Sequence, residues 1–201
     1  HRDAGTRLAY EVEVRGTDAG EVSWQKVWVD ATNGKVLEAR EQIAHGSGTA
    51  AYSGPNPLPV ATTQSGGTYL MQDPTASTLR CQDAANNQTF SGSDDVWGNG
   101  NATNRETACV DGLYAAQQMK AMMSSWLGRN GMDGNGGWVP MRVGLNDQNA
   151  YYDGTQTQFG KNTAGQWITS IDVVAHEFGH GVDDRTPGGI SGGGTQEFIG
   201  D

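Results

Sequence analysis

Near the end of the chain, His176-Glu177-Phe178-Gly179-His180 places two imidazoles around a carboxylate in the spacing H-E-x-x-H. On an α-helix, residues four apart share a face, so His176 and His180 would project toward one point and could grip one metal ion. Neutral imidazole is a borderline ligand that suits zinc, and a catalytic zinc keeps one coordination position open for water. A carboxylate beside the first His is placed to take that water's proton, the role open to Glu177. The chemistry implied is metal-assisted hydrolysis. A competing reading, a non-catalytic zinc-stabilised folding or interaction module, has no use for a carboxylate at that position.

A catalytic zinc needs a third protein ligand. A third His six residues on, as in H-E-x-x-H-x-x-G-x-x-H, is excluded because Asp183 and Thr186 occupy the Gly and His positions. A Glu on a following helix is the other source, and Glu197 supplies one after a Gly-rich turn. The element that must carry the pair is legible around it. Ile171, Val174, Ala175, Phe178 and Val182 form an apolar stripe at helical spacing, with Ser170 as N-cap.

The 201 residues are enough to bury a sizeable core, and the 30 glycines imply many turns. A net charge of -10 without a cluster of basic residues argues against a nucleic-acid partner. No apolar run is long enough to span a membrane. Cys81 and Cys109 are an even pair in a Gly-rich, acidic chain, which fits one disulfide in a secreted protein. Asp94 and Asp95 read as solvated loop acids rather than calcium ligands, and the loop Gly131 to Gly137 lacks the closing Glu of an EF-hand. Asn87-Gln88-Thr89 and Asn101-Ala102-Thr103 match the glycosylation sequon.

Alternation at Leu8, Tyr10, Val12 and Val14 predicts a half-buried strand, Trp24 to Val29 a second, and Asp30 to Gly34 a tight turn into Val36-Leu37. Residues 38–48 carry no periodicity and read as a linker open to proteolysis. Short strands such as Thr68 to Met71 follow. Asp111 to Leu127 reads as a helix whose broad apolar face includes Leu113, Ala116, Met119, Ala121, Met123, Trp126 and Leu127, closed by Gly128. Trp138 to Val143 reads as a strand leading into Asn149-Ala150-Tyr151-Tyr152-Asp153-Gly154.

Three features together resemble the thermolysin-like zinc metallopeptidases, a secreted bacterial family. The pattern W-x-x-x-x-V-D-A-x-x-G-x-V-L, from Trp24 to Leu37 in this chain, resembles the end of their propeptide. Asn149-Ala150-Tyr151-Tyr152 resembles their N-A-[FY]-W edge strand, with Tyr151 at the aromatic third position and Tyr152 in place of Trp. Asp-Val-Val-Ala-His-Glu-x-x-His followed by a Glu resembles their metal helix. The resemblance implies that His176, His180 and Glu197 bind zinc and that Glu177 is the general base. It also implies that Asp201 orients a zinc-bound His, that Asp172 binds calcium, and that Asn149, Ala150 and Tyr151 hold an extended peptide by β-augmentation. Preference for an apolar residue after the scissile bond is implied as well.

The resemblance has departures. Glu197 follows His176 by 197 − 176 = 21 residues, fewer than in thermolysin, and no Tyr lies between His180 and Asp201 to help polarise the substrate carbonyl. Family members continue past the position of Asp201 into an α-helical domain whose His and Arg stabilise the tetrahedral intermediate. The expectation is therefore an α+β chain in two parts. Residues 1–45 would be the antiparallel end of a propeptide that acts as intramolecular inhibitor and chaperone. Residues 46–201 would be the β-rich N-terminal catalytic domain, the mature enzyme starting near residues 45–49. The whole protein is expected to be a secreted monomer acting on proteins or peptides with Zn2+ and Ca2+, and this stretch by itself to be poorly active.

Overall fold

The computed structural model describes residues 7–18, 21–41 and 43–188. Its first layer is an antiparallel sheet of β1 (Ala9–Asp18), β2 (Glu21–Asp30) and β3 (Val36–Glu41), in that order. The turn from β2 is closed by Asp30, whose carbonyl accepts the Gly34 N–H and whose carboxylate accepts the Thr32 N–H. Register places Tyr10 opposite Val29 and Val12 opposite Val27, so the apolar residues share one face. Val27 is buried, but Tyr10 is 65% exposed, and Leu8, Val12 and Val14 are exposed too. The expected strand exists without its expected half-burial. Alternation fixes which side chains share a face, not whether anything covers it.

The expected linker is also strand. β3 runs to Glu41 and β4 (Ile43–Gly48) follows, pairing antiparallel with β5 (Leu58–Ser65). Small residues there serve close approach. A Cβ on Gly48 would stand 2.5 Å from Val110 Cγ1, and one on Gly46 would stand 2.6 Å from Asp95 Oδ1. The second sheet adds β6 (Thr68–Leu70), β9 (Ser91–Gly92) and β10 (Val96–Trp97), in the order β10-β4-β5-β6-β9. Asp95 is spent inside it, accepting from Thr62 Oγ1 and Trp97 Nε1.

The third sheet includes β7 (Cys81–Asp83), β8 (Gln88–Thr89), β11 (Met141–Val143), β12 (Ala150–Tyr152) and β13 (Thr157–Phe159). Its order is β12-β13-β11-β7-β8, which leaves β12 at an edge. β11 is shorter than the sequence implies because Pro140, which has no N–H to give a ladder, precedes it.

The helix α1 (Arg105–Leu127) starts six residues before the expected Asp111. Asn104 caps it by accepting the Thr107 N–H, and the buried polar residues Thr107 and Asp111 hide its first turns from an apolar-period reading. Gly128 ends it in the left-handed region, with φ 62. Leu113, Ala116 and Met123 are buried as expected, whereas Ala121, Leu127 and the 80% exposed Trp126 face outward. The second helix, α2 (Ile171–Asp184), packs on α1. Met141, Val143 and Phe159 of the third sheet join Leu113, Val174 and Phe178 in the core between sheets and helices.

Cys81 and Cys109 form a disulfide that ties β7 to α1, with Cα atoms 5.7 Å apart and a sequence separation of 28. A cross-link of that span removes about 3 to 4 kcal/mol of unfolded-chain entropy. Asp111, fully buried, makes the longer tie. Its carboxylate accepts the N–H groups of Ala51, Tyr52 and Ser53 at 2.8, 3.1 and 2.8 Å. Asp153 does a local version in the β12–β13 hairpin, accepting from Thr155 and Gln156. Burial pushes its carboxyl up, but those hydrogen bonds outweigh burial and hold it at about 2, below the ordinary 3.8.

Two outcomes follow from these carboxylates. Asp111→Ala leaves three part-buried backbone N–H groups without their carboxylate and is expected to cost about 2 to 4 kcal/mol, read as a lowered urea midpoint, with Asp111→Asn intermediate. Because the folded-state pKa of Asp153 is depressed, its contribution is full above about pH 4 and is lost as pH falls through about 2. The stability gap between wild type and Asp153→Asn should accordingly be flat above about pH 4 and close toward pH 2. A gap that does not change with pH would contradict the assignment.

Candidate metal centre and peptide cleft

The imidazole pair is placed by what lies behind it. Val174 and Phe178 are buried on the core side of α2, and the Phe178 ring meets Trp138 edge-to-face at 5.5 Å between centroids. The helix entry is held by Ser170 in extended conformation. Ser170 is the N-cap residue, as expected, but makes no side-chain capping hydrogen bond, its hydroxyl being hydrogen-bonded to Asp172. That hydrogen bond is the main reason the Asp172 carboxyl is held below its ordinary range.

Toward the helix end, Gly181 leaves a bare stretch of backbone. A Cβ there would stand 1.8 Å from Met132 Cε and 3.3 Å from Tyr152 Cε2. Met132 is fully buried in a loop whose Asp133 accepts the N–H groups of Asn135 and Gly137, both at 2.8 Å. Those hydrogen bonds lower the Asp133 carboxyl, consistent with a self-contained turn in place of an EF-hand.

On the opposite face the two rings converge. His176 Nε2 and His180 Nε2 are 2.9 Å apart, with ring centroids at 4.5 Å and planes at 85°. Two imidazole nitrogens on one tetrahedral zinc stand about 3.3 Å apart, so a small ring rotation lets this pair share one ion. Glu177, 5% exposed, and His180, 8% exposed, sit in a cleft of about 310 Å³ with His176, Asn149, Ala150, Tyr151 and Tyr152. A second hollow of about 340 Å³ shares Asn149, Ala150, His176 and Glu177 and continues to Ile168, Asp172 and Val173. The edge strand β12 thus forms one wall of a groove and α2 the other.

The sequence-predicted residues divide accordingly. His176, Glu177, His180, Asn149, Ala150 and Tyr151 come together, and Asp172 borders the continuation of the groove. Cys81 and Cys109 are bonded in the core. Glu197 and Asp201 lie outside the described residues. Among the described residues no third His, Cys, Asp or Glu joins the pair in a metal-holding group.

Sequence reasoning missed the far end of the cleft. Arg185, the C-cap of α2, donates through Nη1 to Tyr152 Oη and through Nη2 to Gly154 O at 3.0 Å, with its guanidinium 5.5 Å from the Tyr152 ring centroid. Tyr152 Oη also lies 2.9 Å from Gly154 O and 3.2 Å from Asp184 Oδ2, either of which accepts its proton. Burial raises the Tyr152 hydroxyl above its ordinary 10.0, against the pull of Arg185. The available signal was Gly181 itself, since a glycine inside a helix marks a close approach.

Comparison with known proteins places this geometry. Residues 45–184 match the catalytic domain of thermolysin metallopeptidase. The transglutaminase-activating metalloprotease of Streptomyces mobaraensis is 37% identical over 189 residues, covering 89% of this chain and 24% of that protein. Bacillolysin of Brevibacillus brevis is 29% identical over 192 residues, covering 90% of this chain and 35% of that protein. The chain spans about a quarter to a third of the length of these relatives. Among solved structures, the precursor of protealysin, a metalloproteinase from Serratia proteamaculans, aligns over 61% of this chain and 40% of that one, with 24% identity and a TM-score of 0.49. The domain match runs through both walls of the cleft, from β12 to the end of α2, and the chain belongs to the thermolysin family of metallopeptidases.

Proposed function

We propose that this chain is the N-terminal part of a secreted zinc metalloendopeptidase, preceded by the end of its propeptide. The observation that carries the reading is the 2.9 Å approach of two imidazole nitrogens beside a nearly buried carboxylate, in a groove walled by an open strand edge. His176 and His180 would hold zinc, with Glu197 as third ligand and Asp201 supporting a ligand His. When bound, zinc supplies the Lewis acidity that makes water a nucleophile near neutral pH.

This chain's own residues do the rest. The extended peptide lies along β12, where Asn149, Ala150 and Tyr151 take up its backbone. Glu177 accepts the proton of the attacking water on its carboxylate and returns it to the nitrogen of the departing amine. Two features support a division near residue 45. The family match begins there, and the three-stranded sheet of β1 to β3 is separate from the sheets that carry the cleft. We assign the first part as the intramolecular inhibitor and chaperone. Asp172, held ionised by Ser170, is an oxygen ligand for calcium in this reading.

The test uses the full-length protein and an extended peptide substrate. Glu177→Ala is expected to lower kcat by about 10² to 10⁴ with zinc content unchanged. His176→Ala should lose the metal, and chelation of the wild type should abolish cleavage reversibly on return of zinc. Unaltered turnover in Glu177→Ala would remove the base. Full occupancy by zinc in His176→Ala would remove the site.

A further inference from the structure

We infer that Arg185 is a positioning residue for the peptide-binding edge, fixing through Tyr152 the gap between β12 and the imidazole pair. The inference deepens the peptidase reading and rests on it. An edge strand is paired on one side alone. β12 has β13 as its ladder partner and offers the cleft its other edge. Its distance from α2 therefore needs a second constraint, and Arg185 supplies it.

One guanidinium reaches three places. Nη1 donates to Tyr152 Oη and reaches Gly181 O at 3.4 Å, and Nη2 donates to Gly154 O at 3.0 Å. Gly181 O is one of the last carbonyls of α2, where the helix leaves acceptors unpaired and favours positive charge. Tyr152 is the last residue of β12, and its ring edge rests against the bare backbone of Gly181, directly after His180. Arg185 thus ties the end of the peptide-binding strand to the last turn of the helix that carries the imidazoles. The planar fork of arginine matters, because it aims two separate nitrogens at the hydroxyl and the carbonyl in one fixed geometry, which the single nitrogen of a flexible lysine does not reproduce.

Loosening the clamp would let the strand drift from the imidazole pair while leaving both imidazoles and Glu177 on an unchanged helix. The effect then falls on peptide binding more than on proton transfer. In the full-length, zinc-loaded protein, Arg185→Ala is expected to raise KM for an extended peptide about ten-fold, with kcat changed less than about two-fold and zinc content unchanged. Tyr152→Phe, which keeps the ring and removes the hydroxyl, should raise KM similarly, and the double variant should add little. Arg185→Lys should not rescue. Amide exchange of Ala150 to Tyr152 should quicken in Arg185→Ala without substrate present, while the amides of Val174 to Phe178 stay protected. An unchanged KM, additive single variants, or a loss confined to kcat would overturn the inference. If the wild type cleaves no peptide, the peptidase reading fails, and amide exchange alone decides. Wild-type protection of β12 in Arg185→Ala would then overturn the clamp.

Discussion

Two imidazoles can serve one ion only if the helix beneath them has a single rotational setting, because a turn of a few tens of degrees would part the nitrogens. That setting is imposed on α2 from its buried side. Val174 and Phe178 lock it to the core, Trp138 meets Phe178 edge-to-face, and Met132 fills the space that Gly181 leaves. The rest of the cleft follows, since β12, Tyr152 and Arg185 are all positioned relative to that helix. Burying Phe178 is worth about 1.5 to 3 kcal/mol, more than any surface ion pair here contributes. Packing, not charge, aims the site.

The imidazole pair was legible because its spacing is encoded covalently. The spacing of His176 and His180 specifies a shared face in any helix, so their convergence needed no knowledge of the fold. The edge strand was legible through resemblance, Asn149-Ala150-Tyr151-Tyr152 being a short pattern with little physical signature of its own. Arg185 was illegible for the opposite reason. Its role depends on which strand crosses the end of α2, a fact set by the third sheet and not by neighbours in sequence. β4 was missed because Gly46 and Gly48 signal close backbone approach rather than alternation, and the exposed face of β1 was misjudged because periodicity carries no information about cover.

The acidic residues illustrate how charge is used in this chain. Asp30, Asp95, Asp111, Asp133 and Asp153 each accept backbone N–H groups or nearby hydroxyl and indole donors and so fix turns or long ties. A count of acids therefore overstates the carboxylates available to cations. Glu177 differs in kind, being nearly buried in the wall of the cleft that the converging His176 and His180 rings also line.

The separation of the cleft walls along the chain bears on how the fold comes together. Tyr152 and His176 are 176 − 152 = 24 residues apart, whereas Asp111 reaches back 60 residues to Ala51. Ideal-chain closure makes the shorter loop about 0.8 kcal/mol easier to form than the longer one. Polymer entropy thus favours the meeting of strand and helix over the docking of residues 51–53 on α1, and the groove between β12 and α2 is the more local of the two encounters.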